Sequence, residues 1–231
     1  MSLVADTLVW LGDRAHYRGV DGVPHRLLEH LELSGTAVAA AAVLALPAAA
    51  WLGHTRRAPR AGRAVLAVAN ASRAVPVFAV LVLLAATPVG FGDRATVLAL
   101  VLFAVPPLVT NAYVGVRGVD RDVVEAARGS GMSGGQVLRR VELPLALPLL
   151  AAGLRSASVQ VVATATLAAY VGGGGLGRLI ADGFGRADAA QTAAGGVLVA
   201  TLALAVELSL AVLQRRLTPG SRRAPGPRRL G

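Results

Sequence analysis

Two long apolar runs are separated by the stretch Arg117-Gly-Val-Asp120-Arg-Asp122-Val-Val-Glu125-Ala-Ala-Arg128-Gly129-Ser-Gly131-Met132-Ser133-Gly-Gly-Gln136-Val-Leu-Arg-Arg140-Val141-Glu-Leu143-Pro144. The run before it, about residues 95–116, contains no charged side chain, and the run after it, about 144–171, contains only Arg155. A chain that passes from one such run through a charged segment into another builds helices across a membrane, joined at the surface. Asp120 and Asp122 are suited to capping a helix through Val123, Val124, Ala126 and Ala127, with acidic groups at its positive end. Gly129 and Gly131 stop that helix, and Ser133 can cap a second through Val137, Leu138 and Val141. The pattern predicts two short helices at an angle on one membrane face, with Leu143-Pro144 opening the next span.

Composition supports the same fold class. Of the 231 residues, 55% are hydrophobic and 16% charged, against about 45–50% and about 25% in soluble domains. All 23 basic residues are arginine. Without lysine the chain can build neither a phosphate-binding Gly-Lys-Ser/Thr loop nor a Schiff base, so any ATP it depends on is hydrolysed by another chain. Without cysteine it has no disulfide and no thiolate metal site. His16, His25, His30 and His54 form no metal-ligand spacing and read as solvated or interfacial. No metal site is expected. Aromatic residues make up only 4%, which argues against stacking platforms for nucleic acid.

Spans of roughly 20 apolar residues fall at 34–53, 64–87, about 95–116, about 144–171 and about 193–213. Pro47, Pro76, Pro106, Pro107 and Pro148 lie inside them and read as kinks rather than ends. The expected fold is therefore all-α, a polytopic transmembrane bundle of about five core spans over residues 34–213, with 117–143 as its long loop. Residues 1–33 carry too many charges for hydrocarbon and too little pattern for a signal peptide. They read as a retained external tail with an interfacial segment. Residues 214–231, rich in arginine, proline and glycine, read as a disordered basic tail.

Five spans put segments 54–63, 117–143 and the tail on one side, with fifteen of the 23 arginines. The positive-inside rule places that side in the cytoplasm and the amino terminus outside. The net charge of +10 then reflects topology and contact with anionic lipid, and no nucleic-acid partner is expected.

The spacing Glu-Ala-Ala, three residues, glycine, nine residues, an aliphatic residue, one residue and Leu-Pro resembles the signature of the membrane permease subunits of bacterial ABC importers. Here it is filled by Glu125, Ala126, Ala127, Gly131, Val141, Leu143 and Pro144, with valine where isoleucine is usual. The resemblance implies the type I importer fold. It also implies that the elbow, with Met132 beside it, seats in a groove of a separate ATPase subunit. That subunit would bind ATP and magnesium, and this chain would hold no cofactor. A second permease chain, identical or homologous, and an extracytoplasmic solute-binding protein are the other partners implied. Small side chains at Ala126, Ala127 and Gly131 let backbones approach, Glu125 offers an anchor or caps the elbow's own turn, and Met132 adapts to an apolar groove.

From Asn70 to Pro219 the chain also resembles osmoprotectant permeases, on the stretches Thr110-Asn111-Ala-Tyr113-Val-Gly115, Ala152-Gly153-Leu-Arg155 and Tyr170-Val-Gly172-Gly-Gly-Gly175-Leu-Gly177. That implies passage of glycine betaine, choline, carnitine or proline betaine. Methionine-type permeases share the fold and a similar glycine run, so methionine or another small solute is the alternative. A stand-alone channel or secondary carrier, its elbow a mere anchor, is the rival from another class. Candidate path or gate residues are Asn70, Asn111, Tyr113, Arg155, Tyr170, Gly172 and Gly175, because polar groups at membrane depth mark pathways. Arg155 sits roughly 16 Å deep at about 1.5 Å per residue, and Glu207 is one candidate partner, with snorkelling as the other reading. The few aromatics suggest that the cage for a quaternary ammonium lies in the binding protein and that this chain supplies a low-affinity passage. No catalytic residues are expected.

Overall fold

A stripe of small residues at helical spacing, Ala37, Ala41 and Ala45, lets a helix approach its neighbours closely, as packing inside a membrane requires. In the computed structural model this stripe meets Leu100, Ala104 and Leu108 on one helix and Ala157, Val161 and Ala165 on another, and these form the main core. The structure describes residues 2–55 and 59–217, and every regular element among them is helical.

The elements in order are α1 (Leu3–Gly12), a 3-10 turn (Arg14–Tyr17), α2 (Val23–His54), α3 (Pro59–Ser72), α4 (Val77–Ala85), α5 (Asp93–Arg117), α6 (Arg121–Gly129), α7 (Gly134–Val137), α8 (Leu143–Thr164), α9 (Gly177–Gly185) and α10 (Ala189–Leu217). A π turn, Leu138–Glu142, joins α7 to α8, and a 3-10 segment, Ala165–Val171, extends α8. Helix α5 lies between α2 and α8 and packs extensively on both. Helix α10 leans on α8 and α9 and leaves Leu204, Leu208 and Val212 exposed.

Among the described residues, four helical bodies are long and apolar enough to cross a membrane: α2, α5, the continuous 134–171 body and α10. The second apolar run is different. It breaks into α3 and α4, which meet at 85°. Pro76 therefore ends a helix rather than kinking one: it stands in extended backbone as the N-cap of α4, and a proline also biases the residue before it away from helix. The other four prolines do lie inside helices.

Three further expectations change. The first spanning helix begins at Val23, not Ser34, so Arg26, Glu29, His30 and Glu32 belong to the helix that carries the apolar run. Hydropathy misses these eleven residues because Arg26 and Glu29 find partners in Asp21, in each other and in Gly175, while Glu32 stays exposed. The second elbow helix is not separate from the following span; α7, the π turn and α8 form one helical body of 38 residues. Pro144 falls in the first turn of α8, where its missing N–H breaks no helical bond. Finally, His30 is wholly buried and His54 largely so, each hydrogen-bonded to a distant part of the chain, so the solvated reading fails for both. His16 stacks on Trp10, and His25 remains half-exposed beside Glu29.

Arg56, Arg57 and the tail from residue 218 lie outside the described residues; positions 214–217 continue α10.

Candidate functional site

The elbow is a small folded unit with its own core. Val119, Val124 and Val137 are buried against one another, with Ala127 and Met132 packed at the edge. Asp120 caps α6 by accepting the Asp122 N–H at 2.9 Å. Ser133 and Gln136 form a reciprocal capping box at the start of α7. Between the two helices Gly131 has φ +85°, a left-handed conformation that glycine adopts without penalty. The chain reverses there because residue 131 has no Cβ.

The signature residues divide into two groups. Glu125, Ala126 and Gly131 are exposed on the free face of the elbow, where Glu125 pairs with Arg121 at 2.8 Å. Ala127 and Met132 turn partly inward to the elbow's core. Val141 is half-buried, Leu143 packs near Ala50, Val116 and Ala146, and Pro144 is exposed. One group therefore presents a surface and the other fixes that surface to the bundle.

A further fixation comes from His54, which the sequence read as solvated or interfacial, and from Glu142, which it did not single out. Glu142, in the π turn, has a wholly buried side chain, and His54 at the last turn of α2 donates from Nδ1 to its Oε2. A Cβ on Gly134 would come 3.3 Å from the other nitrogen of His54. The end of α2 is thus held against the base of the elbow. Glu142 lies one residue before Leu143-Pro144, and an acid beside an apolar helix start was the signal available.

At the other end of the bundle the glycine run forms a pinned turn. Gly172 and Gly175 have φ +80° and +90°. The N–H of Gly175 donates to Glu29 at 2.9 Å and that of Gly174 to Asp93 at 3.2 Å. Arg178 closes the turn by donating to the carbonyl of Gly173 at 2.9 Å. Below it His30 donates from Nε2 to the Val162 carbonyl at 2.9 Å, and a Cβ on Gly175 would come within 3.0 Å of the His30 ring. Glu29 is itself held by Arg26 at 2.8 Å. Arg26, Glu29, His30 and Asp93 were not among the residues singled out, since nothing local in the sequence joins them to a glycine run 81 to 146 residues away.

The candidate path residues do not gather in one place. Asn111 donates to the Pro107 carbonyl of its own helix at 2.8 Å and faces Gly153 of α8, where a Cβ would meet it at 2.7 Å. Tyr113 is buried, its hydroxyl against Gly62 of α3. Asn70 is exposed on α3. Tyr170 is half-exposed and meets Phe78 edge to face, with ring centroids 6.1 Å apart. Arg155 and Glu207 do pair, at 3.4 Å and both partly exposed, on the side where α8 faces α10.

A lipid-length helical bundle carrying one rigid, exposed elbow is the architecture of a membrane transport subunit. Residues 45–223 match the family described as the binding-protein-dependent transport system inner membrane component, and the chain belongs to that family. It is similar to the carnitine transport permease protein OpuCB of Listeria monocytogenes, 36% identical with 84% of this chain and 89% of that one covered. The glycine betaine/carnitine/choline permease OpuCB of Bacillus subtilis is also 36% identical, over 83% and 86%. The choline permease OpuBB of the same species is 34% identical, over 84% and 88%. Among solved structures, an inward-facing form of the MetNI methionine ABC transporter shares the fold, with TM-score 0.73, 22% identity, and 85% and 96% covered.

Proposed function

We propose that this chain is the permease subunit of an ATP-binding-cassette importer that passes a compatible solute such as carnitine, choline or glycine betaine. The observation that carries the reading is the elbow. A docking face that presents Glu125, Ala126 and Gly131, and that packs through Val124 onto Val137 of the helical body running on into a span, can pass a push from a partner to the bundle.

The partner on that face is an ATPase subunit, which binds ATP and magnesium; this chain contributes no catalytic group. A second permease chain, identical or homologous, completes the path, and an extracytoplasmic binding protein delivers solute at the end of the glycine turn. The arginine-rich side, with the elbow and carboxyl terminus, is cytoplasmic and the amino terminus is outside. ATP binding draws the two ATPases together, the elbows follow, and the path opens outward; hydrolysis resets it. Tyr170, Gly172 and Gly175 lie at the outer end of that path. Arg155, Asn111, Tyr113 and Asn70 are placed along the spans. Helix α10, uncovered along most of its length, faces lipid.

The choice of a compatible solute over methionine rests on relatives 34–36% identical across most of their own length, whereas the methionine transporter is similar in fold at 22%. The test is purification with the cognate ATPase after Glu125→Ala together with Gly131→Leu. The expected result is loss of co-purification and of solute-stimulated hydrolysis; unchanged assembly and hydrolysis would refute the docking face. In liposomes, unlabelled betaine, choline or carnitine should compete with uptake of a labelled member of the set, and methionine should not. Uptake by this chain alone without ATP would instead favour a channel or carrier.

A further inference from the structure

Helix α2 is held at both ends by buried and part-buried polar contacts of long sequence separation. At its carboxyl end His54 donates to Glu142, in the turn that joins the elbow to α8. Near its amino end Glu29 accepts from Gly175, and His30 donates to Val162 beneath the same turn. Between them the helix runs unbroken, so the 24 residues from His30 to His54 span about 36 Å at about 1.5 Å per residue, roughly the hydrocarbon thickness of about 30 Å. Its middle is packed through the alanine stripe onto α5 and α8.

Each contact is of a kind that resists separation. The Glu142 side chain is wholly buried, so moving His54 away would strip a hydrogen bond from a carboxylate that water does not reach. At the far end a Cβ on Gly174 or Gly175 would come 2.8 Å from the Glu29 carboxylate or 3.0 Å from the His30 ring, so the backbone of the glycine turn lies directly against these α2 side chains. The 134–171 body joins elbow and turn through the chain itself, and α5 meets the turn through Asp93 and Gly92 and packs Val116 against Leu138 and Leu143; among the described residues α2 is the helix that meets both through side-chain hydrogen bonds of long sequence separation.

We infer that α2 is a connecting rod: His54–Glu142 fastens it to the elbow, and Glu29–Gly175 with His30 fastens it to the glycine turn, so displacement of the elbow moves that turn. This deepens the ABC-permease reading and rests on the elbow being the point where the ATPase pushes. His54, Glu142 and Glu29 are positioning residues; none needs to touch solute. Two fastenings in series give a signature that independent structural contacts do not. Once either is cut, the rod transmits nothing, and cutting the second adds little.

The experiment uses the complete importer, with permease, ATPase and binding protein, in liposomes, and measures solute transported per ATP hydrolysed. His54→Ala and Glu29→Ala should each lower that ratio at least fivefold while the ATPase still co-purifies, and the double variant should be no worse than the poorer single. Ratios unchanged in both singles, or fold-losses that multiply in the double, would overturn the rod. Because alanine at position 54 could prevent folding, the second variant pair is His54→Cys with Glu142→Cys, joined by a short bis-methanethiosulfonate reagent, each thiolate displacing methanesulfinate. The native chain has no cysteine, so with cysteine-free versions of its partner subunits the link is confined to positions 54 and 142, and a rod that moves with the elbow should keep transporting when linked. Arrest on linking would overturn the inference. Failure of the underlying reading looks different: the elbow variants Glu125→Ala and Gly131→Leu would then leave ATPase binding intact.

Discussion

The elbow and the glycine turn both rest on glycines with positive φ, yet they are held in opposite ways. Within the elbow the caps connect residues two or three apart, and its ion pair connects residues four apart. The glycine turn is held by bonds to Asp93 and Glu29, 81 and 146 residues away. A unit that closes on itself can present its outer face to a partner and move as a body. A turn pinned by other helices responds to where those helices go. The one suits a contact surface and the other a gate, and the difference in hydrogen-bond range is what separates them.

Substitutions can break this comparison. The largest effect is expected at Gly177, where a Cβ would lie 2.1 Å from the Thr166 carbonyl oxygen. Gly177→Val should destabilise the protein by about 3 kcal/mol or more, since overpacking against backbone leaves nothing flexible to yield; a collapsed yield and a lowered apparent melting temperature in detergent would show it. Glu29→Ala comes next. It orphans the Gly175 N–H and removes a partner of Arg26, at about 1–3 kcal/mol, and protease cutting near residues 172–177 should rise. A smaller effect is expected at Gly131. No atom crowds its Cβ position, so Gly131→Ala should cost only the left-handed backbone, about 1–2 kcal/mol; Gly131→Asn should recover part of it, read from the same melting curves. Smallest is Arg121→Ala, which removes a fully exposed pair with Glu125 and should leave the melting temperature unchanged within error. If Gly131→Ala outweighed Gly177→Val, the picture of a self-contained elbow and a cross-braced turn would be reversed.

Legibility in the sequence follows the same division. The Asp120 cap, the Ser133 cap and the stop at Gly131 were readable because each acts on residues a few positions away. The runs of α5, α8 and α10 were readable from apolar length alone. The pairing of Arg155 with Glu207 was foreseen as one option, since two opposite charges at membrane depth have few other partners. His30 and His54 were misread because a histidine beside charged neighbours looks solvated until the fold shows what covers it. Pro76 was misread as a kink. Inside α2, α5 and α8, proline is carried by helix on both sides, whereas α3 is studded with Arg60, Arg63 and Asn70 and turns away from the path of α4.

By itself, the sequence determined that the chain is a membrane bundle, that most of its arginines lie between and after the apolar runs, that a capped elbow projects from it and that the chain has no lysine with which to build a phosphate loop. These are properties of composition and of neighbours along the chain, and short-range hydrogen bonds and apolar length are sufficient causes for them. Only the tertiary structure decided that α2 begins eleven residues before its apolar run, that the second run bends by 85°, and that Glu142 and Glu29 fasten opposite ends of one helix to the elbow and the glycine turn. Burial gives Glu142 its role and a hydrogen bond to a turn 146 residues away gives Glu29 its own, and both depend on which distant helices come together.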